Sequence, residues 1–209
     1  MEQGLIRFTE ALSSTAPTPG GGGAAALMGA LAASLGRMAS QLSVGKKTES
    51  GRAERLREIA ARCETLRRSF LEQIDADEAA FLPLSQAYRL PKETPGRAET
   101  LRRASLDACA AAEQMLCLCA ETASLLTQLR GQASPLLLSD VGCAAAACRA
   151  ALLCAAMNVY VNTRGYPEDE EAQRLDSAAE RTLLESLPQR EDVELRVLMQ
   201  LRDEKVETM

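Results

Sequence analysis

The chain has 209 residues, of which 46% are hydrophobic but only 3% aromatic, with no Trp and no His. Its formal net charge is −5. The basic clusters at 52–57 and 62–68 are interleaved with Glu, a pattern of solvated helix faces rather than of a nucleic-acid-binding surface. Ala and Leu dominate, and β-branched residues never form an alternating run. Propensity therefore predicts an all-α protein, a bundle of about six to eight helices with long buried Ala-rich members. The length fits a single helical domain over 1–209, with a charged tail from about 168.

In chain order, residues 3–13 are predicted as a short amphipathic helix with Leu5, Phe8 and Leu12 on one face. After a loop over 13–19, a second helix is expected from about Gly22 to Val44. Its stripe of small residues, Ala25, Gly29, Ala33 and Gly36, would let another backbone approach closely. The segment Gly45-Lys46-Lys47-Thr48 ends it. A third helix is predicted over Ser50–Tyr88, kinked at Pro83. LPKETPG is a turn, and a fourth helix follows over Arg97–Arg130. GQASPLLLSD leads into a fifth, from about Ser139 to Thr163, where Ser139 or Asp140 is expected as N-cap. Gly165-Tyr166-Pro167 breaks the chain again, and 168–205 is expected to form one or two helices interrupted at Pro188.

Seven Cys stand at 63, 109, 117, 119, 143, 148 and 154. The count is odd, there is no CxxC and no His, so the pattern argues against a metal site. It suits small apolar residues filling helix interfaces in a reducing cytoplasm. The first residues, MEQGLIRFTEAL, lack the apolar block of a signal peptide, so a cytoplasmic location is expected. Ala24–Val44 and Val141–Val161 approach membrane length. Arg37, Gln41, Arg149 and Asn158 interrupt them, and the expectation is core or subunit-interface helices rather than spans.

The sequence TPGGGGAAALMG, residues 18–29, places four glycines before an apolar helix. A helix N-terminus has unpartnered N–H groups and a partial positive charge. Glycines there let an anionic or polar ligand reach the backbone; a flexible turn is the other reading. The nucleotide version fails, because no Lys follows the glycines at Walker spacing. Further along, Asp75 and Asp77 interrupt an apolar part of the third helix, with Asp75 expected at the surface. Asp77 shares a face with Phe81, and Asn158 shares one with Asn162.

The ordered set PTPGGG, VGKK, DxxAF, LPK, SD and NVxxN resembles the cyclodeaminase/cyclohydrolase family. That family includes the C-terminal domain of formimidoyltransferase-cyclodeaminase and the stand-alone methenyltetrahydrofolate cyclohydrolases. The resemblance covers about Leu5 to Arg164. It implies a helical fold, usually a homodimer, that binds a reduced folate, with or without a polyglutamate tail, as substrate. No separate cofactor or metal, no nucleic acid and no membrane are implied. The implied reaction is closure of 5-formiminotetrahydrofolate to 5,10-methenyltetrahydrofolate with release of ammonia. The alternatives are hydrolytic opening of the methenyl ring, or folate binding without turnover.

The resemblance carries over to particular residues. Pro19, Gly20, Gly21 and Gly22 match the PGGG turn, Lys46 and Lys47 the paired lysines, and Asp77 and Phe81 the Asp and Phe. Ser139 and Asp140 match SD, and Asn158 the Asn. On this reading the lysines and helix N-termini hold folate carboxylates, and Phe81 faces the pterin. Without imidazole, acid–base work falls to carboxylates. Asp140 is expected as principal acid/base, with Asp77 as second carboxylate. Three positions depart from the family pattern: Gly23 replaces Ser, Leu82 replaces Asn, and GQASPLLLSD is longer and lacks the usual Asn residues.

Overall fold

A computed structural model describes residues 2–45 and 48–203. The described residues form α1 (Glu2–Leu12), α2 (Gly21–Leu42), α3 (Ser50–Tyr88), α4 (Arg97–Asp107), α5 (Ala110–Arg130), a 3-10 turn (Pro135–Leu137), α6 (Leu138–Thr163) and α7 (Glu170–Asp203). The fold is all-α, as propensity predicts, without a strand among the described residues.

Glycine spacing sets the packing of α2 on α3. A Cβ on Gly22 would overlap the Asp77 carboxylate, and one on Gly29 would overlap the Phe70 ring. A Cβ on Gly36 would come within 3.2 Å of Cys63 Sγ. The glycines recur every seven residues going up α2, and their partners recur every seven going down α3. The two helices are therefore antiparallel and in register, with bare backbone facing large groups. Phe70 is fully buried in the contact, worth about 1.5–3 kcal/mol of hydrophobic burial.

Helix α2 also packs along α6, and α6 along α7. Helix α5 touches α2, α3, α6 and α7 and lies behind all four. Met115, Leu126 and Leu129 give it a buried face. Two stretches, Arg97–Arg130 and Pro135–Thr163, are long and apolar enough to cross a membrane. The packing of α5 accounts for the first as a core helix. In the second, only 39% of the most apolar 18-residue window is buried.

Two boundaries differ from expectation. The helix predicted over Arg97–Arg130 is divided at Ala108-Cys109, where the Cys109 N–H turns back to Leu106 O at 3.0 Å. No Gly or Pro marks this break. The buried Cys109 thiol points to Ser105 O and Val159 O instead. The tail forms one helix with Pro188 inside it. Pro188 and Leu184 are both exposed, so the carbonyl that loses its N–H partner can turn to water. Likewise α3 runs on through an exposed Pro83. The apolar residues predicted to give α1 a buried face are mostly uncovered. Leu5 and Leu12 are exposed, and only Phe8 is partly covered, toward Gly23.

No disulfide links the seven Cys. Cys63, Cys109, Cys119 and Cys148 are buried fillers, as expected, whereas Cys117 and Cys143 are exposed. Burial pushes the Cys63 and Cys109 thiols up to about 12, which keeps them protonated and unreactive.

Candidate functional site

The glycine turn opens α2 as the sequence suggests. Gly20 is the N-cap residue, with extended backbone and no side chain to cap the helix. The missing cap comes from another helix: the Gly23 N–H donates to the Asp77 carboxylate of α3. Gly22 lies directly beneath that carboxylate and has no Cβ to push it away. Burial holds the Asp77 pKa above the ordinary carboxylate value, and the Gly23 amide only partly offsets the shift. From α6, Asn158 approaches the same turn. A Cβ on Gly21 would stand 3.6 Å from its Nδ2 and 3.8 Å from its Oδ1. The Asn158 amide is steadied by donation to Cys154 O at 2.8 Å.

Pro19 packs beneath Gly23, 3.2 Å from where a Cβ would be, and a Cβ on Gly20 would meet nothing within 4 Å. The helix start is thus firm on its inner side and open on its outer side. A side chain at Gly23 would press on Pro19. Phe81, one turn beyond Asp77, is partly buried against the small cluster of Leu84, Ala87, Ala104 and Ala108. Leu82 is exposed.

Pro19, Gly20, Gly21, Gly22, Asp77 and Asn158 therefore form one pole, with Phe81 at its edge. Ser139 and Asp140 form another. They stand in the first turn of α6, which Leu137 opens as N-cap residue, so neither is the N-cap expected from sequence. Asp140 and Asn158 are 18 residues apart on one helix, roughly 27 Å along its axis. The structure does not bring Asp140 and Asp77 together within one chain.

The second pole also gathers the end of α2 and the 131–137 loop. The Ser134 N–H donates to Ser43 Oγ at 2.8 Å, and the Arg52 guanidinium clamps Gln132 O at 2.6 Å. A cavity of about 450 Å³ opens there, lined by Ser43, Gly45, Thr48, Arg52 and Ser134 among others. Lys46 and Lys47 lie outside the described residues. A second cavity of about 300 Å³ lies between Ser139, Gly142 and Cys143 of α6 and Glu194, Val197 and Leu198 of α7. Glu194 Oε1 is shielded from solvent and meets no hydrogen-bond donor among the described residues. Sequence reasoning did not single out this carboxylate. The only signal was an acid set between Val193 and Val197 on an otherwise apolar face.

A family model described as formiminotransferase-cyclodeaminase matches residues 4–181. The chain belongs to that family. Over 87 residues it is 44% identical to a methenyltetrahydrofolate cyclohydrolase of Methylorubrum extorquens, 42% of each chain. Over 91 residues it is 32% identical to a formimidoyltransferase-cyclodeaminase of Gallus gallus, 44% of this chain and 17% of that protein. The matches thus span less than half the length of these curated relatives. A crystal structure of formiminotetrahydrofolate cyclodeaminase from Thermotoga maritima shares the fold, with TM-score 0.80, 24% identity and 95% coverage of both chains.

Proposed function

We propose that the chain is a folate one-carbon enzyme that closes 5-formiminotetrahydrofolate to 5,10-methenyltetrahydrofolate and releases ammonia. The observation that carries this reading is the Asp77 carboxylate, held on the open N-terminus of α2 with its pKa raised. In the closure, N10 of the folate adds to the formimino carbon and loses its proton. The amino group on that carbon is protonated and departs as ammonia. Both transfers need a group that changes protonation readily, and a partly desolvated carboxyl supplies one without imidazole. The Gly20–Gly22 backbone and the Asn158 amide offer polar contacts to the substrate beside it. Asp140 is the second acid/base candidate, and Ser139, Lys46 and Lys47 are candidates for the glutamate carboxylates.

Hydrolytic opening of the methenyl ring is the second reading. It is favoured by the 44% identity to a cyclohydrolase, and it runs through addition at the same carbon with water in place of the amine. The absorbance of the methenyl compound tests both. Protein mixed with 5-formiminotetrahydrofolate should speed its appearance. Faster loss from 5,10-methenyltetrahydrofolate alone would select the hydrolase, and no acceleration of either would overturn the enzyme reading.

A further inference from the structure

We propose that the cavity between α6 and α7 is a second binding site, which takes a small organic cation with an apolar body and an ammonium or amidinium head. The inference goes beyond the folate reading and does not rest on it. The cavity holds about 300 Å³, with Cys143 and Ala146 on the α6 side and Val197, Leu198 and Leu201 on the α7 side. Its origin is local. Helix α7 comes close to α6 at Gly142, where a Cβ would stand 2.9 Å from Val197 Cγ1. The neighbouring side chains of α6, Cys143 and Ala146, are too short to fill the space beside that contact. Leu198 and Leu201 are exposed, so the space can be reached from solvent. Its size is at the lower end of the range for small-molecule pockets.

Glu194 of α7 also lines this cavity. It stands between the buried Val193 and Val197. Its Oε1 is shielded from solvent and meets no donor among the described residues. Helix α6 does extend an arginine toward α7, but Arg149 pairs with Glu191 at 3.6 Å. A carboxylate oxygen taken out of water without a donor is costly, and folded proteins seldom leave one so. A donor brought by a ligand in the cavity removes that cost.

Charge and lining together select the occupant. An anion is repelled by Glu194. A hard metal cation needs about six oxygen ligands, and the lining side chains offer only the Glu194 carboxylate and the Ser139 hydroxyl. An ammonium or amidinium group needs one carboxylate, to which it donates a charge-assisted hydrogen bond. An apolar body attached to it gains by covering Val197, Leu198 and Leu201.

Calorimetric titration with benzamidine, beside its uncharged counterpart benzamide, tests this. Benzamidine should bind wild type saturably, and Glu194→Gln should weaken it at least about tenfold, the loss expected for a hydrogen bond to a charged group. Benzamide should bind wild type more weakly than benzamidine does and be indifferent to Glu194→Gln. Ala146→Leu, at an exposed helical position, fills the cavity with Glu194 left in place, and the folded variant should lose benzamidine binding. A second readout is the Cys143 thiol, which lines the cavity. Saturating benzamidine should slow its labelling and leave that of the exposed Cys117 unchanged. No saturable binding of benzamidine, equal affinity in wild type and Glu194→Gln, binding retained by Ala146→Leu, or unprotected Cys143 would each overturn the site. None of these readouts uses turnover. A protein inactive on both folates that binds benzamidine in this way upholds the cavity and fails only the folate reading.

Discussion

Asp77 occupies a position that packing alone would give to an apolar side chain. It stands seven residues beyond Phe70, which stands seven beyond Cys63, and all three face a glycine of α2. Two of the three fill the interface; the third places a carboxylate on a helix N-terminus. Its raised pKa fixes the sign of its contribution to stability. The unfolded chain ionises Asp77 at lower pH than the folded one. Stability is therefore lost as pH rises between the two values and stays lower above them. Asp77→Asn, whose Oδ1 can still accept from Gly23, should melt higher than wild type near pH 7. The difference should vanish below about pH 4, near the unfolded pKa, and melting curves at the two pH values would read it. Gly22→Ala should lower activity and melting temperature together: the new methyl group overlaps the Asp77 carboxylate and its Cγ, and the start of α2 loses its cap, a cost of about 0.5–2 kcal/mol.

Gly29 lies in the same register, but its neighbour is the buried Phe70 ring, which cannot swing aside. Gly29→Ala should cost about 1–3 kcal/mol and lower the melting temperature by several degrees, about 2–4 °C per kcal/mol at this size. A thermal melt equal to wild type would contradict the close packing of α2 on α3. Much of this level was legible in the sequence. The small-residue stripe was visible, and the seven-residue spacing of 22, 29 and 36 against 63, 70 and 77 could have been read with it. The Ala108-Cys109 break was not legible, because no Gly or Pro marks the tight turn there. The unbroken α7 was also missed, because an exposed proline leaves its orphan carbonyl to water. Asp140 and Ser139 showed only their residue types. Their distance from Asn158 followed from the rise of a helix, once 139–163 was read as one helix, but that Asp77 stands at the Asn158 end did not. Glu194 lay in a tail whose apolar face drew notice only as amphipathic.

Across the whole molecule, burial divides the thiols into classes that a probe can read. Cys117 should label quickly in the native protein, whereas Cys63 and Cys109, protonated and buried, should label only on unfolding. Cys143, exposed beside α7, should label with Cys117. Labelling of Cys63 or Cys109 in the native protein as fast as that of Cys117 would contradict the burial pattern. At this scale the four glycines have a physical reason. They leave the start of α2 bare, so that the Asp77 carboxylate can sit against it on one side while Gly20 stays open on the other.

The most direct measurement follows the methenyl absorbance for wild type beside Asp77→Asn, with both proteins shown to be folded. The expected result is acceleration over the spontaneous rate by wild type and a loss of about 10²–10⁴-fold in the variant, the range for an acid–base group. A folded Asp77→Asn protein that turns over substrate at the wild-type rate would contradict the account.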